Sequence, residues 1–376
     1  MTDREAYVAF NLTDNMGSVG VDALVDRFGS VAAAWESYPK KVSRLGGEVD
    51  WKGEFAKARR YGVAVLTPAD DDYPDMLRRT RGHPLVLYVK GDVKALSRPS
   101  VAIVGTRRAT AYGLDQANRF GHDLAQSGWC IVSGLALGID AEAARGALAA
   151  GGITVGVLGS ALDRFYPEEN RELAREIVKK GGAVASEFPF GREPDQQTFP
   201  QRNHVVAALA SGVIAVEAPI KSGTLITTGV AANIGRIVMA VPGRVDAPRS
   251  AGCLALIRDG ATLVRCAADV SEALCRLLPA TAPEKAADPR AVRAKPVPAD
   301  HGRDAGRGAP SAPAPSFSLE ESMIMRELDA EGVSMDKLVE LTGLPPQKVR
   351  SLTMTLRLKE RVRFLPGNRV ALPRGA

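Results

Sequence analysis

Short, mostly apolar segments alternate with helical patterns without a break between residues 98 and 278. The predicted strands are Val101–Val104, Cys130–Val132, Thr154–Leu158, Ala183–Ala185, Val213–Val216, Ile237–Ala240 and Thr262–Val264. Strands that are apolar throughout are typical of a parallel sheet, because helices connect such strands and cover both faces. The sequence therefore predicts an α/β domain built on a doubly wound parallel sheet, whose ligands bind beyond the carboxyl ends of the strands.

The chain of 376 residues is too long for one hydrophobic core, and its composition changes sharply near residue 279. We predict four parts: a small helical domain over 1–70, the α/β domain over 71–278, a flexible linker over 279–316 and a winged-helix domain over 317–376. The linker is rich in proline and alanine, and it has too few large apolar residues to offset the entropy of ordering.

The predicted winged-helix domain consists of three helical patterns and a short hairpin that turns at 366–368. Ser334 and Gly343 mark the two ends of its second helix. The third helix would read DNA in such a fold, and it carries the basic residues Lys348, Arg350, Arg357 and Lys359. Many modules of this shape bind proteins instead, so the sequence leaves both kinds of partner open.

The N-terminal domain has Gly17 and Gly20 between two helical patterns, in the spacing of a helix-hairpin-helix or SAM-like turn. Backbone amides in such a turn can bind a DNA phosphate. Three acidic residues lie close by, at Asp14, Asp22 and Asp26. We therefore expect these glycines to allow close packing of two helices rather than to hold a phosphate.

Composition argues against several classes of function. Charges of both signs open the chain and no uncharged run is long enough to cross a membrane, so we expect neither a secretory signal nor a membrane partner. The four cysteines form no C-x-x-C pair and the four histidines are scattered, so we expect no metal and no cofactor. Free thiols suit a cytoplasmic protein. The net charge of +6 is spread thinly, so any nucleic-acid site has to be a local patch.

The loops that follow the predicted strands are rich in glycine, hydroxyl groups and basic side chains. The candidate anion-binding residues in them are Gly105, Thr106, Arg107, Arg108, Ser133, Gly134, Gly138, Gly159, Lys221, Ser222, Gly223 and Thr224. One such loop is commonly just a tight turn, but several at one sheet edge predict a ligand with several phosphates. A dinucleotide fingerprint would place glycines where this chain has Arg107 and Thr110. Guanidinium groups there suit phosphates that lie across the sheet edge.

Recognisable catalytic motifs are absent: the sequence contains neither a Walker phosphate loop nor a G-x-S-x-G nucleophile turn. Asp140, Asp163, Glu187 and Glu217 follow strands, which leaves a hydrolase based on carboxylates open. Asp140 and Glu187 can equally bond loop amides. The alternative function is a nucleotide-processing enzyme of the nucleoside-monophosphate phosphoribohydrolase type. The closest segment to that class, PIKSGTLITTG, lacks its double glycine.

Many ordered motifs between residues 62 and 266 carry a family resemblance. They include GTRRAT, SGLALGIDAEAARGAL, VLGSALDRFYPEEN, SEFPFG, FPQRNHVVAALA and GRIVMAVPG. In this order they resemble the DNA-processing family called DprA or Smf. The resemblance implies a Rossmann-like, non-catalytic protein that binds single-stranded DNA, protects incoming DNA and loads the recombinase RecA, as in natural transformation. It also implies a homodimer through the Rossmann-like domain.

The resemblance adds Phe199, Arg202, Asn203 and His204 to the candidate DNA-binding residues. Phe199 can stack on a base or pack in the core, and the sequence does not separate these roles. Residue 204 is a histidine where the family usually has arginine, so we expect a phosphate contact that is lost or depends on pH. The alternative is that His204 lies buried beside Val206 and Leu209. Further departures from the family pattern occur at Ala161 and Leu254, to which we transfer no role.

Overall fold

The computed structural model describes residues 1–14, 16–38, 42–277, 283, 319–328, 332–358, 361–365 and 369–372. The chain forms two compact units, Met1–Val297 and Pro298–Ala376. Apart from residue 283, the predicted linker lies outside the described residues, and the four-part domain division stays a prediction. Among the described helices, none combines the length and the apolar character needed to span a bilayer.

Four helices open the first unit: α1 (Asp3–Leu12), α2 (Ser18–Phe28), α3 (Val31–Ser37) and α4 (Trp51–Tyr61). Thr2 begins α1 with a reciprocal capping box to Glu5, and Gly29 ends α2 in a left-handed conformation. Phe10 packs edge-on against Trp35, with ring centroids 5.1 Å apart. This helical cluster shares its core with the sheet, since Tyr88 and Phe190 belong to it.

A nine-stranded sheet forms the centre of the first unit, in the order β1-β2-β6-β5-β4-β3-β7-β8-β9. The strands are β1 (Ala64–Leu66), β2 (Leu87–Gly91), β3 (Ser100–Val104), β4 (Cys130–Ser133), β5 (Thr154–Val157), β6 (Ala183–Ser186), β7 (Gly212–Ala215), β8 (Ile237–Ala240) and β9 (Thr262–Leu263). The seven predicted strands are confirmed, and all seven are parallel. The sequence pattern did not predict β1 and β2. Strand β2 pairs antiparallel with β6, and β1 pairs antiparallel with β2.

Helices cover both faces of this sheet, as predicted for a doubly wound fold. They are α5 (Asp75–Arg78), α6 (Ala111–Gln126), α7 (Ile139–Ala149), α8 (Arg171–Lys179), α9 (Thr198–Leu209), α10 (Gly223–Asn233), α11 (Ala251–Arg258) and α12 (Ala267–Leu277). Helices α6 and α7 approach so closely that a Cβ at Gly121 would lie 2.1 Å from the Ala143 carbonyl oxygen. The chain runs outward from β3 in both directions, so the loops after β3 and β7 diverge and open a crevice between them.

The second unit has the elements of a winged helix. Its helices are α13 (Leu319–Arg326), α14 (Met335–Thr342) and α15 (Pro346–Leu358), and its strands are β10 (Val333–Ser334), β11 (Arg363–Leu365) and β12 (Arg369–Ala371). Ile324, Leu338, Val349 and Val370 form its fully buried core. Ser334 and Gly343 cap α14 as predicted. The hairpin turn 366–368 and Lys359 lie outside the described residues.

Deletion of residues 280–376 should leave a folded first unit, because the hydrophobic clusters of that unit end at Cys275. We expect calorimetry to show one cooperative thermal transition for the truncated chain. Its midpoint temperature should equal that of the first unit in the full chain. A matched deletion of residues 267–376 also removes Val270 and Leu274 from the core, and it should lower the midpoint markedly. Loss of cooperative unfolding in the shorter deletion would show that the second unit is part of the core.

Candidate nucleic-acid interface

A cleft of about 630 Å³ lies beyond the carboxyl ends of β3, β4 and β7, between α9 and α10. Most of the predicted site residues line it together: Gly105, Thr106, Arg107, Arg108, Gly134, Phe199, Arg202, Asn203, Lys221, Ser222, Gly223 and Thr224. The sheet therefore brings residues from four separate chain segments to one place. Ser133, Gly138, Gly159 and His204 do not line this cleft.

The loop after β3 is held by two buried carboxylates. Glu217 accepts a hydrogen bond from the Thr110 amide at 2.9 Å, and its carbonyl oxygen accepts one from the Thr106 amide at 2.8 Å. Asp140 accepts a bond from the Gly105 amide at 3.3 Å. With its backbone fixed in this way, the loop presents Arg107 and Arg108 to solvent as exposed side chains.

Asp140 also orders the loop after β4, opposite the guanidinium group of Arg202. Its second oxygen accepts a bond from the Gly134 amide at 2.9 Å. Arg202 is only 5% exposed and donates to the carbonyl oxygens of Gly134 and, at 3.0 Å, Val157. Burial raises the pKa of Asp140, and Arg202 opposes that rise; burial likewise lowers the pKa of Arg202. Arg202 thus supports the floor of the cleft.

An aromatic and cationic platform forms one wall of the cleft. The Arg107 guanidinium lies 4.8 Å from the ring centroid of Phe199, and the Tyr166 ring lies 5.9 Å from Phe199 on another side. Phe199 is half-buried, with part of its ring facing the cleft. A Cβ at Gly159 would lie 2.8 Å from the Phe199 ring, so glycine makes room for it. Tyr166 is not among the predicted site residues, although the aromatic pair Phe165-Tyr166 in the loop after β5 was a usable signal.

The opposite wall is the beginning of α10. Its N-cap residue Ser222 makes no side-chain capping bond, and its buried hydroxyl has no hydrogen-bond partner among the described residues. Lys221 is exposed beside it, and a Cβ at Gly223 would meet no atom within 4 Å. Free amides at a helix N-terminus, an unpaired hydroxyl and a cation are the groups that bind anions.

Arg249 is a further cation in the cleft, and no motif in the sequence marks it. It follows β8 by several residues, and a bond of 2.8 Å from the Ala218 amide to its carbonyl oxygen fixes its backbone. The Arg249 side chain is exposed.

Three predicted residues shape the cleft from outside. Ser133 is fully buried, and its hydroxyl accepts a bond from the Leu135 amide. Gly138 has a φ of +78° and caps α7 so tightly that a Cβ would lie 2.5 Å from the Thr106 carbonyl oxygen. Gly159 lies beneath Phe199. These residues position the loops and do not reach into the cleft themselves.

His204 lines a second, separate cavity of about 550 Å³, on the other side of α9. Its ring is half-buried, and burial lowers the pKa of His204 in the chain without DNA. The structure therefore does not place His204 among the cations of the cleft, contrary to the expectation that it faces a DNA phosphate.

Glu187 lines the same second cavity and has an unusual pKa. Its Oε1 atom is buried without a hydrogen-bond partner among the described residues. Burial raises the pKa of Glu187 from 4.5 to about 7, against the opposing charge of Arg44. The sequence suggested that Glu187 caps loop amides, but this carboxyl oxygen bonds none.

Replacement of Glu187 by glutamine should change the pH dependence of stability. The folded chain holds this proton more tightly than the unfolded chain, so the free energy of unfolding falls as pH rises from about 4.5 to about 7. Above that range, ionisation of the buried carboxylate lowers the free energy of unfolding by about 3 kcal/mol. Glu187→Gln should therefore be more stable than the natural chain at pH 8 by up to that amount. Urea unfolding from pH 5 to 8 measures the free energy of unfolding, with Glu48→Gln at an exposed carboxylate as the control. The same dependence of that free energy on pH in all three proteins would contradict the prediction.

Comparison with known proteins agrees with this geometry. Residues 64–275 match the family described as DNA recombination-mediator protein A, and residues 308–368 match the DprA winged helix domain. Protein Smf of Synechocystis sp. is 34% identical over 281 residues, which are 70% of this chain and 70% of that protein.

Two solved structures share the fold. DNA processing protein A of Streptococcus pneumoniae has a TM-score of 0.60 and 30% identity, covering 72% of this chain and 97% of its own. A structure of DNA processing protein A from Helicobacter pylori, described for its single-stranded DNA binding mode, has a TM-score of 0.51 and 30% identity, covering 58% of this chain and 96% of its own. The chain therefore belongs to the DprA family of DNA recombination mediators.

Proposed function

We propose that this chain binds single-stranded DNA in the cleft beyond β3, β4 and β7. The proposal rests on two features that face each other across this cleft. One is the aromatic platform of Phe199 and Arg107. The other is the N-terminus of α10, where the Ser222 hydroxyl has no hydrogen-bond partner among the described residues. The platform suits a base, and the helix N-terminus suits a phosphate. A nucleic-acid strand supplies both groups in alternation.

The charges of the cleft favour a polyanion. Arg107, Arg108, Lys221 and Arg249 are exposed, and all four line the cleft. The acidic groups nearby are buried: Asp140 and Glu217 accept bonds from loop amides. Their oxygens are already engaged, so the charge that a ligand meets is mainly positive.

The half-exposed ring of Phe199 favours a single strand over a duplex as the ligand. In a duplex the faces of the bases are stacked on one another and closed to a side chain. In a single strand each base has a free face, and stacking on it tolerates any sequence. The proposed binding mode therefore has little sequence preference and involves no chemical step.

The wider role follows from the family. We infer that the protein protects incoming single-stranded DNA and loads the RecA recombinase onto it, as in natural transformation, and that it does so in the cytoplasm. We also infer a homodimer through the Rossmann-like domain. Two exposed apolar side chains that do not line the cleft support a protein contact: Ile220 is 64% exposed and Val245 is 89% exposed.

A salt titration tests the binding mode. We expect single-stranded oligonucleotides to bind more tightly than blunt duplexes of the same length, with similar affinity for different sequences. The logarithm of the binding constant should fall with the logarithm of salt concentration, with a slope of about −0.7 per phosphate neutralised. Fluorescence anisotropy at several salt concentrations measures both quantities. Equal or tighter binding to the duplex would refute the proposal.

Charge reversal tests the site. Arg107→Glu removes a cation from the platform and places a negative charge in the phosphate loop, so single-strand affinity should fall by about tenfold or more. The matched control is Arg60→Glu, since Arg60 is exposed on α4 and does not line the cleft. If both variants bind as the natural chain does, the site lies elsewhere.

A further inference from the structure

The second cavity is unused by the proposed DNA-binding mode. It lies between the start of α2, the segment 82–85, the segment after β6 and the outer side of α9. Four side-chain atoms that are buried and have no hydrogen-bond partner among the described residues belong to residues that line it: Ser18 Oγ, His83 Nε2, Glu187 Oε1 and His204 Nε2. A buried polar atom without a partner is costly, so four around one cavity indicate a ligand.

One wall of the cavity offers donors. Helix α2 begins at Ser18, and its N-cap Gly17 has no side chain to bond the first amides of the helix. A Cβ at Gly17 would meet no atom within 4 Å, so close packing does not require this glycine, contrary to the expectation from the sequence. Ser18 itself is only 3% exposed, and its unpaired hydroxyl adds a donor at the same place. Arg44 lines the cavity as a cation, held by a bond of 3.0 Å to the Thr13 carbonyl oxygen.

The other wall offers acceptors. His83 Nδ1 lies 3.3 Å from the Thr80 carbonyl oxygen, so it carries the proton of the neutral ring and leaves Nε2 as an acceptor. Interaction with the Arg81 backbone opposes the lowering of the His204 pKa by burial. Burial lowers the pKa of both histidines, which keeps them neutral. Glu187 Oε1 is a third acceptor when ionised, and Asp14 and Arg192 are the other charged residues that line the cavity.

We propose that this cavity binds the phosphate group of a phosphate monoester, in preference to sulfate or a phosphodiester. The charged oxygens would take the α2 amides, the Ser18 hydroxyl and the Arg44 cation. A monoester has a second pKa near 6 and so retains an acidic P–OH within reach of neutral pH. That P–OH would donate to Glu187, whereas sulfate and a diester have no proton to give and meet the carboxylate as a repulsive charge.

Isothermal titration of inorganic phosphate and of sulfate into the full chain at pH 8 tests the proposal, because Glu187 is then mostly ionised while inorganic phosphate still carries a P–OH. The chain carries Arg107→Ala, so that anion binding in the first cleft is weakened and the two sites stay distinguishable. We expect phosphate to bind about tenfold or more tightly than sulfate. Equal binding of the two anions, or binding of neither, would overturn the proposal.

Substitutions in the cavity locate the site. Glu187→Gln should bring the two affinities together, because the amide no longer repels sulfate and can donate to it. Ser18→Ala should weaken phosphate binding several-fold. Glu48→Gln, at an exposed carboxylate outside the cavity, should change neither affinity. An unchanged ratio of affinities in Glu187→Gln would contradict the proposed role of the carboxyl group.

Competition identifies the source of the monoester. Displacement of bound phosphate by an oligonucleotide with a 5′-phosphate, and not by the same strand with a 5′-hydroxyl, would assign the site to a DNA end. Failure of both strands to displace it would assign the site to a free phosphate monoester. Equal displacement by both strands would mean that diesters bind, and it would overturn the proposal.

Discussion

The cleft depends on one buried contact set, in which Asp140 binds the amides of Gly105 and Gly134 opposite the guanidinium of Arg202. Arg202 in turn bonds the carbonyl oxygens of Gly134 and Val157. Burying two opposite charges costs solvation energy that their attraction alone seldom recovers, and the hydrogen bonds to the backbone offset part of the remainder. Arg202 Nε stays buried without a hydrogen-bond partner among the described residues. Asp140 and Arg202 therefore hold together the loops after β3 and β4, the end of β5 and α9. Loss of either charge would leave the other buried without an opposite charge nearby.

This arrangement separates the charges that build the site from those that bind. Asp140 and Glu217 are buried, and their oxygens accept bonds from loop amides. Exposed positions in the loops after β3 and β7 carry Arg107, Arg108 and Lys221. Because the buried carboxylates accept hydrogen bonds from the backbone, the surface potential of the cleft comes from the exposed cations. The cleft is therefore positive although the whole chain has a net charge of only +6. A local patch of this kind is invisible in overall composition.

The sequence predicted the parallel sheet well because each central strand is apolar throughout, which follows directly from burial on both faces. It missed β1 and β2, because β2 joins the sheet by antiparallel pairing to β6 and β1 by pairing to β2, and neither strand belongs to a β-α repeat. It found the loops of the cleft because strand ends mark them. It missed Tyr166 and Arg249, whose places depend on contacts between segments distant in sequence.

Helix geometry explains why His204 lines the cavity behind α9 and not the cleft. Residues three, four and seven apart share a helix face, so Phe199, Arg202 and Val206 line the cleft, while residue 204 is turned away from Arg202 by about 200°. There His204 Nε2 lies close to Gly82, within 3.7 Å of where a Cβ would be. A neutral imidazole costs far less to desolvate at this place than a guanidinium would. The histidine at this position therefore suits the half-buried cavity behind α9, and the cleft in front of the helix keeps its cations without it.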